Sequence, residues 1–252
     1  MLKKIGLFLL LSISTALAAQ EIPDFSANYL VRLNGIQAGE LKRSLETQES
    51  GLKRFYSVSQ AKGVFSFFKP DLIEETSIWQ PNNGNVKPHS YIYQRSGGKK
   101  DKTLAMDFDW QNNLVSIDDK KHPWQLELEP GTLDKLVYQI SLMKDLKRGI
   151  KSIDYRIADG GKLKTYHITV LGKETITTPM GHIETIKLTR HREKPSDRET
   201  TLWCAPALNY LPVKLEHIED DTSFTAVLRR LKGIDTDTAF TPLQSANAIT
   251  QP

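Results

Sequence analysis

The chain has 252 residues, of which 34 are Lys or Arg and 30 are Asp or Glu, so its formal net charge is only +4. This near balance gives no electrostatic case for nucleic acid as a partner. A single cysteine excludes an internal disulfide, and a chain of this length can bury a sizeable core in one large domain.

The N-terminus carries the features of a secretory signal peptide. Lys3 and Lys4 form a basic start, residues 5–13 form an apolar run, and Ala16-Leu17-Ala18 offers small residues at a cleavage site. The run is shorter than the roughly 20 residues that span a bilayer, which argues against an uncleaved anchor. We expect residues 1–18 to be removed, leaving a soluble periplasmic protein. It should not be a lipoprotein, because no cysteine lies near the cleavage site.

The first unusual segment in the expected domain, which spans residues 19–235, is GVFSFFKPDLIEE. Phe65, Phe67 and Phe68 are dense for a loop-like stretch that reaches Pro70. Aromatic residues in such a loop usually close a core. In a curled sheet they can instead line the mouth of an apolar cavity, so both interpretations remain open.

Two later stretches alternate strictly between apolar and polar residues, which is typical of strands with one buried face. In KTLAMDFDW and WQLELE the apolar faces hold Leu104, Met106, Phe108 and Trp110, then Trp124, Leu126 and Leu128. The opposite faces carry acidic pairs such as Asp107 and Asp109. If the concave face of the sheet binds a ligand, its lining residues are predicted to be Leu104, Met106, Phe108, Trp110, Leu126, Leu128, Phe65, Phe67 and Phe68. The same residues are equally well explained as ordinary core.

Turn signals separate the strands at short intervals, which favours hairpins joined in sequence order. The signals are Asn34-Gly35, Asn82-Asn83-Gly84, Gly97-Gly98, Asn112-Asn113, Asp118-Asp119, Gly160-Gly161 and Pro179-Met180-Gly181. The pattern predicts a mainly β fold in which about ten antiparallel strands form one sheet. A sheet of that size curls into a half-barrel or open barrel, because strand twist accumulates.

One segment, PGTLDKLVYQISLMKDLKRG, has helical spacing. Its apolar residues are Leu133, Leu136, Val137, Ile140, Met143 and Leu146. Thr132 is a candidate N-cap and Gly149 can take the left-handed conformation at the C-terminal end. The apolar stripe is narrow, so one amphipathic helix packed against the sheet is predicted. Residues 236–252 lack periodicity and are predicted to be a disordered tail.

The sequence offers little for catalysis. Cys204 has apolar neighbours and no protease signature, so a buried structural thiol is favoured over a nucleophile. The six histidines lack metal-site spacing, and no phosphate-binding loop or nucleophile-elbow motif is present. We therefore expect no catalytic residue, no metal site and no cofactor.

Four stretches resemble the bacterial envelope family called domain of unknown function 3108: YLVRLNGIQAGELKRSL, LDKLVYQISLM, TPMGHIETIKLTR and TTLWCAPALNYLPVKLE. The resemblance covers residues 25–231 and brings no assigned catalytic residue. It implies a more distant similarity to the half-barrels of periplasmic lipoprotein carriers, which hold acyl chains on an apolar concave face.

Three functional hypotheses follow. The first is a non-catalytic periplasmic binding or carrier protein that holds a lipid, an acyl chain or a lipidated partner. The second is an envelope-integrity scaffold or stress-sensing interaction module with a filled core. The third is an envelope hydrolase, which would need acidic residues from separate strands gathered in a cleft.

Overall fold

The structure, a computed structural model, describes residues 21–68, 70–98, 100–119, 123–191 and 198–243. The predicted signal peptide, residues 1–18, lies outside this part of the chain. None of the helices in the described ranges is long and apolar enough to cross a membrane.

The described residues form fifteen strands. The first eight are β1 (Phe25–Leu33), β2 (Ile36–Thr47), β3 (Lys53–Ala61), β4 (Leu72–Asn82), β5 (Asn85–Ser96), β6 (Lys102–Asp109), β7 (Leu114–Asp118) and β8 (Trp124–Glu127). The other seven are β9 (Leu133–Asp134), β10 (Ser152–Asp159), β11 (Lys162–Thr178), β12 (Gly181–His191), β13 (Arg198–Ala205), β14 (Leu211–Glu219) and β15 (Thr222–Lys232). Helix α1 spans Phe65–Phe68, helix α2 spans Tyr138–Lys147, and a short 3₁₀ helix spans Pro206–Leu208.

All fifteen strands belong to one sheet, in the order β8-β7-β6-β5-β4-β3-β2-β1-β15-β14-β13-β12-β11-β10-β9. Neighbours are antiparallel except β9 and β10, which are parallel. The mainly β, curled antiparallel sheet is confirmed, but the predicted number of about ten strands is wrong. The predicted number is too low because some strands show no strict two-residue alternation in their sequence, as in LIEETSIWQPN of β4, and because β9 has only two residues.

The predicted turns do connect consecutive strands. In the Asn34-Gly35 turn both residues have positive φ, 48° and 79°, a backbone conformation that Asn and Gly adopt with little strain. The β4–β5 turn repeats this with Asn83 and Gly84. Hairpins in sequence order are therefore specified locally by turn chemistry.

Helix α2 lies on the concave side of the sheet. From β2, the Arg43 guanidinium donates a hydrogen bond to Gln139 at 2.6 Å. From β10, the Tyr155 hydroxyl donates to the Asp145 carboxylate at 2.7 Å. Because β2 and β10 belong to opposite halves of the sheet, the sheet wraps around the helix. Seven of the ten residues of α2 are buried, so more of its surface is covered than the predicted narrow stripe implied.

The start of α2 also differs from the prediction. Thr132 is not its N-cap, and its hydroxyl instead donates to the Glu129 carbonyl. The carboxylate of Asp134 accepts hydrogen bonds from the amides of Leu136 and Val137, and the helix begins at Tyr138. At the other end Gly149 has φ of 81°, as expected for a left-handed residue after a helix.

The domain continues past residue 235, where the sequence placed its end. Ile234 is buried, Phe240 packs against the core, and Thr241 forms a two-hydrogen-bond bridge with His182 of β12. Residues 236–243 therefore add to the domain, in contrast to the predicted tail. The remaining part of that tail, residues 244–252, lies outside the described residues.

Candidate functional site

The residues predicted to line a concave binding face mostly form the core. Leu104, Met106 and Phe108 are buried on β6, and Leu128, just beyond β8, is buried as well. Leu126 is half-buried and packs against this core. With α2 covering the concave side, these side chains pack against the core, and Leu104 and Met106 also line a small cavity of about 140 Å³.

Trp110 lines a cavity near the end of α2, whereas Met106 lines a second cavity of about 650 Å³ along β6 and β7. It follows β6, its indole N–H donates to the Pro88 carbonyl at 2.7 Å, and its ring stacks on Phe108 with centroids 6.4 Å apart. This fixes the ring at the end of the barrel where α2 terminates. A cavity of about 540 Å³ opens there, and we call it the mouth cavity.

The mouth cavity combines apolar and charged walls. Its apolar and aromatic side is formed by Val86, Trp110, Leu133 and Tyr155, and its charged side by Lys87, Lys144, Asp145 and Arg148. The volume falls within the range of roughly 300–1,000 Å³ typical of small-molecule sites. An apolar wall facing a few placed charges suits a ligand with one apolar part and one charged group.

The charges of the mouth cavity fall into two groups. Arg148 and Asp145 are engaged with the protein, since the Arg148 guanidinium donates to the Gly84 carbonyl at 2.6 Å and lies 3.1 Å from the Asp145 carboxylate. Asp145 also accepts from Tyr155. These contacts tie the end of α2 to the β4–β5 turn and hold the rim in place.

Lys87 and Lys144 form the second group. Lys87 Nζ lies 5.3 Å from the ring centroid of Trp110, and Lys144 Nζ lies 5.8 Å from that of Trp79. In the described ranges neither lysine has a carboxylate within ion-pairing distance. Burial lowers the pKa of Lys144, Arg148 and Lys53 act in the same direction, and the carboxylates of Glu21 and Asp145 oppose the shift. Both ammonium groups are therefore available to an anion in the cavity.

The three phenylalanines at α1 are far from the mouth cavity. Strand β4 runs from Leu72, next to α1, to Asn82, which lines the cavity, so α1 lies at the opposite end of the barrel. Phe65 is half-buried, Phe67 is 85% exposed, and the side chain of Phe68 lies outside the described residues. The structure therefore does not bring these residues together with Trp110.

Sequence reasoning missed Lys144, Arg148 and Tyr155. In the sequence the basic residues of α2 look like ordinary partners of the negative helix end. The available signal was that Lys144 shares a helix with many apolar residues, so that a wrapped helix would carry it inside. Its distance in sequence from Lys87 and Trp110 hid the common site.

The sequence predicted that Cys204 is not reactive and that the chain has no metal site, and the structure bears on both predictions. Cys204 is fully buried, and burial raises the pKa of its thiol, as expected for a thiol that packs in a core. Among the residues that the structure describes, no group of three or more His, Cys, Asp or Glu side chains could hold a metal ion. Asp134 and Glu75 come near each other at the other end of α2, but Asp134 is fully buried and bound to Ser77.

These features define the class: a barrel-like antiparallel sheet wrapped around a helix, with a cavity at one end. The chain belongs to DUF3108, described as a protein of unknown function, whose family model matches residues 28–229. A search of the curated proteins finds no match.

The fold is similar to the crystal structure of a β-barrel-like protein of domain of unknown function DUF1849 from Brucella abortus. The TM-score is 0.54 at 11% identity, with 86% of this chain and 99% of that chain covered. At this identity the likeness concerns the fold alone, and it agrees with the distant barrel-like relation that the sequence implied.

Proposed function

We propose that this protein is a non-catalytic periplasmic binding or carrier protein whose ligand is an amphiphilic anion held in the mouth cavity. The ligand class includes fatty acids and the acylated end of a lipidated partner. One observation carries the proposal: an apolar wall built around Trp110 faces Lys87 and Lys144, neither of which has a carboxylate within ion-pairing distance in the described part of the chain. An acyl chain fits the wall and an acid headgroup fits the lysines.

The energetics favour such a ligand over a purely apolar one. Burial of an acyl chain contributes about 0.8 kcal/mol for each CH₂ removed from water. A hydrogen bond between a charged donor and an acid headgroup contributes about 1.5–3 kcal/mol. Lys144 is half-buried, so the free protein pays a desolvation cost that an anionic ligand relieves.

The proposal places the ligand at the mouth and not along the concave face of the sheet. Met106, Phe108 and Leu128 are buried against other side chains, and α2 occupies the space in front of them. Of the residues predicted from the sequence to line a binding face, Trp110 is the one that contacts the ligand in this proposal.

Isothermal titration calorimetry with two ligands of equal chain length tests the proposal. Dodecanoate carries the acid headgroup and dodecanol does not. We expect dodecanoate to bind with one site per chain and dodecanol to bind about tenfold or more weakly, since it lacks the charged contact. Failure of dodecanoate to bind, together with native mass spectra of periplasmic material that show no retained lipid, would contradict the proposal.

Variants locate the site. Lys144→Gln and Lys87→Gln should each weaken dodecanoate binding about tenfold while leaving dodecanol unchanged. Ser141→Phe, on the face of α2 that lines the cavity, should weaken both ligands by filling the space. The exposed Lys151→Gln, just after α2 but outside the cavity lining, is the matched control. Unfolding midpoints of all variants separate loss of the site from loss of the fold.

The filled concave face supports a second candidate, an envelope scaffold or sensing module that binds another protein. In that case dodecanoate would not bind, and the Ser141→Phe variant would complement a deletion strain as well as the parent. Under the carrier proposal the same variant fails to complement.

A further inference from the structure

Three large apolar side chains are exposed at the end of the barrel opposite the mouth cavity. They are Ile36 at 63%, Val64 at 70% and Phe67 at 85%. Ile36 begins β2, and the segment that leads into α1 lies against the same part of β2, because the Lys62 amide donates to the Ala38 carbonyl at 2.9 Å. The three side chains therefore share one tip, which we call the apolar tip.

A basic groove runs along the outer face of the sheet and reaches the apolar tip at Lys62, two residues before Val64. Lys42 pairs with Asn28, on the face opposite Arg43, which points to α2. The groove encloses about 370 Å³, and its charged lining residues are Glu40, Lys42, Lys62, Arg229 and Arg230. Glu40 is paired with Arg229 at 3.4 Å. Lys42 and Arg230 are exposed and have no carboxylate within ion-pairing distance in the described ranges.

Two acidic residues at this end of the barrel lie on the side away from α1. Asp220 and Asp221 form the β14–β15 turn, which adjoins the β1–β2 turn through the hydrogen bond from the Ser223 amide to Asn34. In the strand order β15-β1-β2-β3, this acidic turn is on one side of Ile36 and α1 is on the other. The acidic turn is therefore separated from α1 by the β1–β2 turn, and Lys62 of the basic groove lies on the α1 side.

We propose that the apolar tip and the basic groove dock this protein on an anionic phospholipid membrane. Phe67, Val64 and Ile36 enter the interface between headgroups and acyl chains, while Lys42, Lys62 and Arg230 lie against headgroup phosphates. Exposed apolar side chains next to cations are the combination that binds such interfaces, through buried apolar area and attraction to anionic lipid. The inference goes beyond the proposed function, because the docking surface and the mouth cavity lie at opposite ends of the barrel.

Vesicle flotation with the signal-free protein tests the proposal. Phosphatidylglycerol–phosphatidylcholine vesicles should carry the protein, and pure phosphatidylcholine vesicles should carry much less. Raising NaCl from about 0.1 M to about 1 M should release most of it, because the Debye length falls from about 10 Å to about 3 Å. In Phe67→Trp, the added tryptophan should be quenched by brominated lipid. A parent protein that does not float with anionic vesicles, or a Phe67→Trp signal untouched by brominated lipid, overturns the proposal.

Variants with matched controls assign the surface. Val64→Ser with Phe67→Ser should abolish flotation, while Leu171→Ser, at a side chain 56% exposed on β11, should not. Lys42→Gln and Arg230→Gln should each reduce partitioning about fivefold, and Lys151→Gln should have no effect. Equal losses at Leu171 and Lys151 would show nonspecific adsorption and contradict the assignment. Dodecanoate binding measured on the same variants should stay unchanged, so that a failure here is distinct from a failure of the cavity proposal.

Discussion

Trp124 of β8 lies on the backbone of Gly161, so closely that a Cβ atom at position 161 would stand 0.9 Å from a carbon of the indole ring. Strand β8 is one edge of the sheet. Gly161 belongs to the turn between β10 and β11, near the other edge, where β9 has only two residues. The contact therefore joins the two ends of the curled sheet, and only glycine leaves room for it.

Gly161→Ala should open this junction, whereas Gly160→Ala should not. Both glycines have positive φ, 57° at Gly160 and 77° at Gly161, so each substitution strains the backbone by about 1–2 kcal/mol. A Cβ at Gly160 meets nothing within 4 Å. We expect urea unfolding to show a loss of about 1–2 kcal/mol for Gly160→Ala and roughly 3 kcal/mol or more for Gly161→Ala. Equal losses would show that the Trp124 contact does not hold the sheet ends together.

Asp134 makes the stability of the fold depend on pH. Burial raises the pKa of this carboxyl from an ordinary 3.8 to about 6, with Glu75 adding to the effect, while hydrogen bonds from Ser77, Val137 and Leu136 oppose it. Below pH 3.8 the group is protonated in both states. Between pH 3.8 and about 6 the carboxyl is ionised in the unfolded state but still protonated in the folded state, so the free energy of unfolding falls by roughly 3 kcal/mol over this range and stays constant above it.

Asp134→Asn should remove this dependence. The amide oxygen can still accept from Leu136 and Val137, and the amide nitrogen can donate to the Ser77 hydroxyl. Urea titrations between about pH 4 and pH 7 should show the variant gaining on the parent as pH rises. The exposed Asp101→Asn is the control, and it should follow the parent curve. A constant difference between Asp134→Asn and the parent across this range would contradict the assignment.

Cys204 should be inert in the folded protein. Its thiol is fully buried and its pKa is raised by burial, so little thiolate is available to a disulfide reagent. Labelling with Ellman's reagent should require unfolding. Cys204→Ala should keep ligand binding and cost about 1 kcal/mol, and Cys204→Ser should cost more because a hydroxyl is then buried among apolar neighbours. Fast labelling under native conditions would contradict this account.

The parts of the fold that depend on local chemistry could be predicted from the sequence. The Asn34-Gly35 turn needs positive φ at both residues, and the alternation of β6 needs one buried face. These requirements are visible in a few adjacent residues, as is the apolar surrounding of Cys204. The sheet, the hairpins and the structural cysteine follow from them.

The candidate site could not be predicted in the same way. Lys87, Trp110 and Lys144 meet only because the sheet closes around α2, and no short stretch of sequence carries that information. Strand β9 is too short to show a pattern, and Asp134 holds the start of α2 from a position two residues beyond the expected cap. The predicted lining residues were correctly placed on one face of β6, but whether that face is filled depends on the position of α2.

The central claim is that the mouth cavity holds an amphiphilic anion. A crystal structure of the signal-free protein grown with saturating dodecanoate tests it most directly. The account predicts density for the acyl chain against Trp110 and Tyr155, with the carboxylate within about 3.2 Å of the ammonium of Lys87 or Lys144. An empty mouth cavity with dodecanoate bound elsewhere, or bound with its carboxylate turned to solvent away from both lysines, would contradict it.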